Sequence, residues 1–151
     1  MKFIFGEHFS GKSFEVIKMV NNDPSTIYFV LDGDKSIDML LGSSQIKKIK
    51  NCFLLDIESE IYGRDVKRIV IDPINCIKTV NDSNVELSFK SIIKGLEYLH
   101  YTYDIEVVAI YNTLKMIDRT RQMVDLNLLK SWKIVEIKKE KRKTSKINCD
   151  Y

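Results

Sequence analysis

The sequence predicts an α/β domain, a three-layer α/β/α sandwich with a mainly parallel sheet between layers of helices. Three observations predict it: short apolar runs typical of strands buried on both faces, helical periodicity between these runs, and turns rich in glycine, aspartate or proline where they end. Strands that alternate with helices indicate parallel pairing, because each helix carries the chain back across the sheet. In such sheets, ligands bind at the carboxyl ends of the strands.

The predicted elements follow one another without a low-complexity linker or an internal repeat. A strand at 3–5 ends at Gly6, and a helix at 13–20 follows with apolar residues three positions apart. Further along the chain we expect strands at 26–31, 51–57, 68–71, 106–111 and 132–137, a brief helix at 36–41 and a longer helix at 85–101. The connection between the strands at 51–57 and 68–71 is shorter than a parallel crossover usually needs, so either it is compressed or one strand is misplaced.

Length and composition exclude several classes of protein. The chain has 151 residues, of which 44% are hydrophobic and 30% charged, as is typical of one domain with one core. No apolar run is long enough to span a bilayer, and the N-terminal run is too short for a secretory signal, so we expect no membrane partner. Its three scattered cysteines match neither a disulfide framework nor a zinc site. We therefore expect a cytoplasmic protein, or one of the host cytoplasm if the source is viral.

Positive charge is concentrated near the C-terminus. Six cations and one anion lie between Ile137 and Lys146, whereas the net charge of the whole chain is only +3. We therefore divide the chain into a domain at 1–137 and a basic, flexible tail at 138–151. Such a tail either attracts nucleic acid through counterion release or is only a solvated terminus. The candidate nucleic-acid-binding residues of the tail are Lys138, Lys139, Lys141, Arg142 and Lys143.

Residues 6–13 fit the phosphate-loop pattern G-x-x-x-x-G-K-[ST] at every fixed position. The pattern follows a predicted strand and opens a predicted helix, which is the context that it requires. Glycines let the backbone wrap a phosphate, and the exposed amides at the helix N-terminus bind its negative charge. Lys12 would contact the β- and γ-phosphates, and the Ser13 hydroxyl would bind Mg²⁺. The predicted nucleotide-binding residues are Gly6, Glu7, His8, Phe9, Ser10, Gly11, Lys12 and Ser13.

Acidic residues follow two of the predicted strands. Asp72 comes directly after three β-branched residues, and an acid at the end of a buried strand typically supports the metal of a phosphate-loop enzyme. The alternative for Asp72 is a turn cap before Pro73. After the second strand, Asp32 or Asp34 could polarise an attacking water, whereas Asp38 is expected to face solvent.

Together, these segments resemble the RecA-like ATPase core. In that family an acid near the end of the second strand activates water, and Asp34 takes its position; residues 69–72 resemble the Walker B strand. Residues 107–112 resemble the next strand, which ends in an amide that senses the γ-phosphate, here Asn112. The resemblance implies a P-loop NTPase domain at 1–137 that binds ATP and Mg²⁺ and hydrolyses ATP, with Ser13 and Asp72 at the metal. The catalytic residues that it implies are Lys12, Asp34, Asp72 and Asn112.

The same resemblance implies a partner. The family contacts DNA through the loop that here corresponds to 113–127, and the candidate cations in it are Lys115, Arg119 and Arg121. We therefore expect single-stranded DNA or a DNA-bound protein as partner, a role in recombination, repair or replication, and self-association as a further expectation. A helix with exposed charges is the alternative interpretation of this loop. Because Asp34 and Asn112 are each one methylene shorter than the family's glutamate and glutamine, hydrolysis is expected to be slow or partner-stimulated, by a minimal core rather than a full recombinase.

Two other functions stay open. Residues 9–13 followed by 15–17 are similar to the phosphate loop of the thymidine kinase family, which would make the chain a nucleoside kinase. That family has four zinc-binding cysteines and an Asp-Glu pair after its Walker B strand, whereas Pro73 follows Asp72 here. The third function is a nucleotide-gated adaptor with little hydrolysis.

Overall fold

The structure, a computed structural model, describes residues 1–7, 10–20, 23–33, 46–50, 52–79, 85–113 and 126–139. Within these residues the chain forms six strands and three α-helices. The strands are β1 (Lys2–Glu7), β2 (Thr26–Val30), β3 (Ile46–Lys48), β4 (Arg68–Asp72), β5 (Glu106–Thr113) and β6 (Lys133–Glu136). The helices are α1 (Lys12–Val20), α2 (Leu54–Ile61) and α3 (Val85–Tyr103).

All described strands belong to one sheet, in the order β3-β2-β4-β5-β1-β6. Each neighbouring pair is parallel, so the carboxyl ends of the strands lie along one edge. Strand β5 lies between β1 and β4, and this order brings the ends of these three strands side by side. The predicted α/β class with a mainly parallel sheet is confirmed.

Apolar cores cover both faces of the sheet. On one face, Val16, Ile17 and Val20 of α1 pack with buried side chains of four strands, among them Ile4 and Val108. On the other face, α2 and α3 contribute Ile57, Ile61, Ile93, Leu96 and Leu99, which pack with Phe3, Phe29, Ile71 and Val107. Successive strand residues enter opposite cores, as pleating requires. The sheet therefore lies between α1 and the other two helices, an arrangement compatible with the expected three-layer sandwich.

Burial on both faces explains why the central strands were recognisable in the sequence. All five residues of β2 are buried, as are the last four of β4. A strand covered on both sides needs apolar residues at nearly every position, so it reads as a continuous apolar run. The predicted strands at 26–31, 68–71 and 106–111 match β2, β4 and β5 to within two residues at each end.

The strand predicted at 51–57 is wrong, because α2 begins at Leu54. The Phe53 amide donates to the Asp56 carboxylate (2.6 Å) and so satisfies an N–H at the start of the helix. Ile57 and Ile61, four positions apart, supply the buried face of α2. A short apolar run cannot by itself distinguish a strand from a buried helical turn.

The strand missed in the sequence is β3, which lies at the edge of the sheet beside β2. It has three residues, two of them lysines, so it carries no apolar run. With β3 in place, α2 lies in the connection between β3 and β4, and the short crossover inferred from the sequence disappears. The helix predicted at 36–41 lies outside the described residues. Among the described helices, none combines the length and the apolar composition that crossing a membrane would require.

Truncation of a core leucine tests the packing of α3. Leu96 is 0% exposed, so Leu96→Ala should lower the free energy of unfolding by about 2–5 kcal/mol, through lost burial and an unfilled cavity. Leu55 on α2 is 71% exposed, and Leu55→Ala should change stability by less than about 0.5 kcal/mol. Urea denaturation followed by circular dichroism measures both. Equal losses for the two variants would contradict the packing of α3 against the sheet.

Candidate functional site

Residues 6–13, which run from the end of β1 into the start of α1, have glycine at both positions where the phosphate-loop pattern requires it. Gly6 is paired in register with Asn112 of β5, and a Cβ on Gly6 would overlap the carbonyl oxygen of Ile137 on its other side. Gly11 has φ +90°, in the left-handed region that other residues rarely adopt. Close packing therefore requires the first glycine, and backbone conformation requires the second.

Lys12, the first residue of α1, is directed back into this loop. Its Nζ donates to the Glu7 carbonyl oxygen (2.5 Å) and to the Ser10 hydroxyl (3.2 Å), and the residue is only 4% exposed. Burial lowers the pKa of Lys12, while the nearby carboxyl of Asp72 opposes that shift. The loop thus holds a largely buried ammonium group at the start of a helix, where an anion would be attracted.

Ser13 and Asp72, which are 59 positions apart in the sequence, meet at the edge of the sheet. The Ser13 hydroxyl donates to Asp72 Oδ2 (2.5 Å), and Asp72 is the last residue of β4 and 5% exposed. The contact joins the phosphate loop to the predicted metal-supporting acid. A hydroxyl and a carboxylate are both oxygen ligands of the kind that Mg²⁺ prefers.

The donor set fits a metal that is shared with a substrate. Among the described residues, no group of three or more histidine, cysteine, aspartate or glutamate side chains could hold a metal ion. Mg²⁺ usually keeps several waters and binds through one or two carboxylates together with substrate phosphates. Ser13 and Asp72 would supply the protein part of such a site, and phosphates bound by the loop would complete it.

A third residue of this cluster, Tyr28, was missed in the sequence. Tyr28 of β2 is fully buried, and its hydroxyl donates to the same oxygen, Asp72 Oδ2 (2.5 Å). In the β2–β4 register Tyr28 pairs with Val70, so its side chain lies on the same face as Asp72, two residues further along. The only signal in the sequence was a phenol hydroxyl in the middle of a mostly apolar strand.

Burial and the hydrogen bonds of Asp72 act in opposite directions on the pKa of its carboxyl. Burial raises the pKa of this carboxyl, and the charge of Asp32 at the end of β2 raises it further. Hydrogen bonds from Ser13 and Tyr28, together with the charge of Lys12, act against that rise. Burial also raises the pKa of Tyr28, and the charge of Asp72 adds to this, so the tyrosine stays a proton donor. The carboxyl groups of Asp32 and Asp72 thus lie near a single ammonium group, that of Lys12, and this excess of acidic groups favours binding of a cation.

Asn112 lies beside the phosphate loop because β5 is next to β1. Asn75, in the short 3₁₀ turn after β4, fixes the backbone of Asn112. No pattern in the sequence predicted this role for Asn75. The Asn112 amide donates to Asn75 Oδ1 (2.8 Å), and Asn75 Nδ2 donates to the Asn112 carbonyl oxygen (3.0 Å). The ends of β4 and β5 are thereby tied together next to Gly6.

The remaining predicted site residues divide into two groups. Lys138 and Lys139 are described: Lys138 Nζ lies 3.8 Å from Glu136 Oε2, and Lys139 Nζ lies 3.9 Å from Glu7 Oε2. Their role in nucleic-acid binding stays a prediction, as does the boundary between domain and tail. Residues outside the described part of the chain are His8, Phe9, Asp34, Lys115, Arg119, Arg121, Lys141, Arg142 and Lys143.

No protein-family model matches the chain, and a search of curated proteins found no match. The function of the site is therefore inferred from its own residues. A glycine-bounded loop, a buried lysine and a hydroxyl–carboxyl pair together can bind a phosphate group and a divalent cation side by side.

Removal of the Tyr28 hydroxyl tests the buried cluster without any ligand. Tyr28→Phe should lower the free energy of unfolding by about 1–3 kcal/mol, because Asp72 loses a buried hydrogen-bond donor. Tyr103→Phe is the matched control, since Tyr103 also donates to a carboxylate, that of Glu58 (2.6 Å), but in a partly exposed position at the end of α3. Urea denaturation near neutral pH should show a clearly smaller loss for the control, and equal losses would contradict the cluster.

Asp72→Asn tests the electrostatics of the site. The folded pKa of Asp72 lies above the ordinary 3.8, so the folded protein binds this proton more tightly than the unfolded chain. The contribution of Asp72 to stability is therefore greatest below pH 3.8 and decreases as pH rises through the folded pKa.

Asn keeps an oxygen acceptor for Ser13 and Tyr28 but cannot ionise. Without ligand, Asp72→Asn should become more stable relative to wild type as pH rises from about 4 to about 7, in urea titrations at each pH. A difference that does not vary with pH would contradict the burial of a titrating carboxyl at this position.

Proposed function

We propose that the chain is a minimal RecA-like P-loop ATPase that binds MgATP at residues 6–13 and hydrolyses it. The observation that carries this proposal is the hydrogen bond between Ser13 Oγ and Asp72 Oδ2 (2.5 Å). It joins the residue expected at the metal in the phosphate loop to the acid expected at the end of the Walker B strand. A fortuitous glycine-rich turn would not require that contact.

Lys12 supplies the positive charge for the phosphates. Its ammonium donates to the Glu7 carbonyl and to the Ser10 hydroxyl, both of which belong to the loop. A polyphosphate entering the loop offers stronger, charge-assisted acceptors at the same place. Because burial lowers the pKa of Lys12, a phosphate anion beside it would also favour the charged form of the amine.

Ser13 and Asp72 would hold Mg²⁺ together with the nucleotide phosphates. The ion would supply positive charge to the phosphate oxygens that become more negative during transfer. Tyr28 donates to the same Asp72 oxygen as Ser13 and orients the carboxyl, and since it is buried within β2 it has little freedom to move away. The metal ligand on the protein side is thus held before the nucleotide binds.

The strand order supports the RecA-like interpretation. Strand β5 lies between the strand that precedes the phosphate loop and the strand that ends in Asp72, so Asn112 is next to Gly6. This is where an amide that responds to the γ-phosphate would be needed. Asp34 remains our candidate for activating the attacking water, and its short side chain, like that of Asn112, is the reason to expect slow hydrolysis.

The action on DNA rests on the sequence resemblance and on charge. Lys115, Arg119 and Arg121 follow β5 in the chain, and the basic tail follows β6. Phosphate contacts from such cations give affinity that falls steeply with salt. We propose single-stranded DNA, or a protein bound to it, as the partner that stimulates the ATPase in recombination, repair or replication.

ATP binding by a lysine variant tests the nucleotide site. Lys12→Ala should weaken Mg²⁺-dependent ATP binding on the order of 10- to 100-fold, the loss expected for a hydrogen bond to a charged group. Lys18→Ala is the control, since Lys18 lies on the same helix but pairs with Glu15 at the surface (3.2 Å). Isothermal titration calorimetry measures both. Absence of ATP binding in wild type, or unchanged affinity in Lys12→Ala, would overturn the proposal.

Turnover distinguishes the proposed ATPase from the other two functions. ATP hydrolysis should be slow alone and rise with single-stranded DNA, and the stimulation should shrink as salt is raised. ATP binding without turnover under any of these conditions would indicate the adaptor. Phosphorylated thymidine as product would indicate the nucleoside kinase.

A further inference from the structure

The chain leaves the sheet beside the phosphate loop. After β6, the Ile137 amide donates to the Phe5 carbonyl oxygen (2.8 Å), one residue before the loop begins. The Ile137 carbonyl oxygen occupies the space that a Cβ on Gly6 would need. The residues that follow Ile137 therefore start from a point in direct backbone contact with the first glycine of the loop.

Lys139 is directed to the loop from this point. Its ammonium lies 3.9 Å from Glu7 Oε2, while Lys12 Nζ donates to the backbone carbonyl of the same residue. Two lysines thus approach Glu7, one at its side chain and one at its backbone. After burial and the opposing charge of Asp72, the charge of Lys139 is the next influence on Lys12, whose pKa it lowers.

Two ammonium groups close together repel each other unless an anion lies between or beside them. The Glu7 carboxylate compensates only in part, because an exposed ion pair at this distance contributes at most about 1 kcal/mol. A polyphosphate in the loop would compensate both lysines at once. Lys139 could leave Glu7 for such an anion with little loss.

We propose that Lys139 is a second phosphate-binding cation of this site, which contacts the terminal phosphate of a nucleoside triphosphate from the same chain that supplies the loop. The inference rests on the proposed nucleotide-binding function. Lys139 would add to the affinity for a triphosphate beyond that for a diphosphate, since Lys12 lies deep in the loop and Lys139 is exposed at its side. This role would place Lys139, the second residue of the basic tail, in the nucleotide site.

The test compares ATP and ADP binding, each with Mg²⁺, by isothermal titration calorimetry. Lys139→Ala should weaken ATP binding about tenfold and ADP binding less than about twofold. Lys139→Arg should keep most of the ATP affinity because it keeps the charge. Lys18→Ala is the control: Lys18 is an exposed lysine of α1, pairs with Glu15 (3.2 Å), and should leave both affinities within about twofold of wild type.

The outcomes separate this inference from the function on which it rests. If wild type binds ATP and Lys12→Ala loses it, but Lys139→Ala matches Lys18→Ala, the role of Lys139 is overturned and the ATPase proposal stands. Equal losses of ATP and ADP affinity in Lys139→Ala would overturn the contact with the terminal phosphate. If wild type binds no ATP, both proposals fall. Thermal unfolding of the Lys18 and Lys139 variants should match wild type, because both lysines are exposed.

Discussion

A carboxyl group buried at the end of a central strand needs hydrogen-bond donors, and this need ties the phosphate loop to the sheet. Asp72 receives one donor from Ser13 on α1 and one from Tyr28 on β2. Neither donor can reach it unless β2 pairs with β4 in the observed register and α1 packs on that face of the sheet. The geometry of the site is therefore a consequence of the order of the strands.

The same burial disfavours the charged forms of both Asp72 and Lys12. Burial and Asp32 both raise the pKa of Asp72, so the ionised carboxyl is disfavoured in the folded protein, and Lys12 is held in a place that lowers its own pKa. A polyphosphate with a divalent cation would relieve both conditions, since the anion stabilises the lysine and the cation the carboxylate. The burial that disfavours these two charges would therefore also favour a metal–phosphate pair beside them.

The parts of this fold that the sequence predicted are those with a local signal. The phosphate loop is contiguous, and the strands ending at Val30 and Asp72 are continuous apolar runs. Tyr28 and Asn75 gave no such signal, because their roles depend on register and on a turn that meets a strand from elsewhere in the chain. At 51–57 the apolar run led to the wrong prediction of a strand. The buried residues of α2, Ile57 and Ile61, are four positions apart, and only Ile57 lies within the run.

Charge shows the same distinction between composition and position. In the sequence, Lys138 and Lys139 are two of several cations in the basic tail, and either could face solvent or a polyanion. In the fold they differ, because Ile137 is fixed against the start of the phosphate loop, and Lys139 lies against Glu7 while Lys138 lies against Glu136. A division of the chain at 137 places Lys139 in the tail, although its side chain lies beside Glu7 of the phosphate loop. The basic tail begins beside the loop that contains Lys12, so a ligand that binds the tail near Lys139 would act on the charges around Lys12 as well.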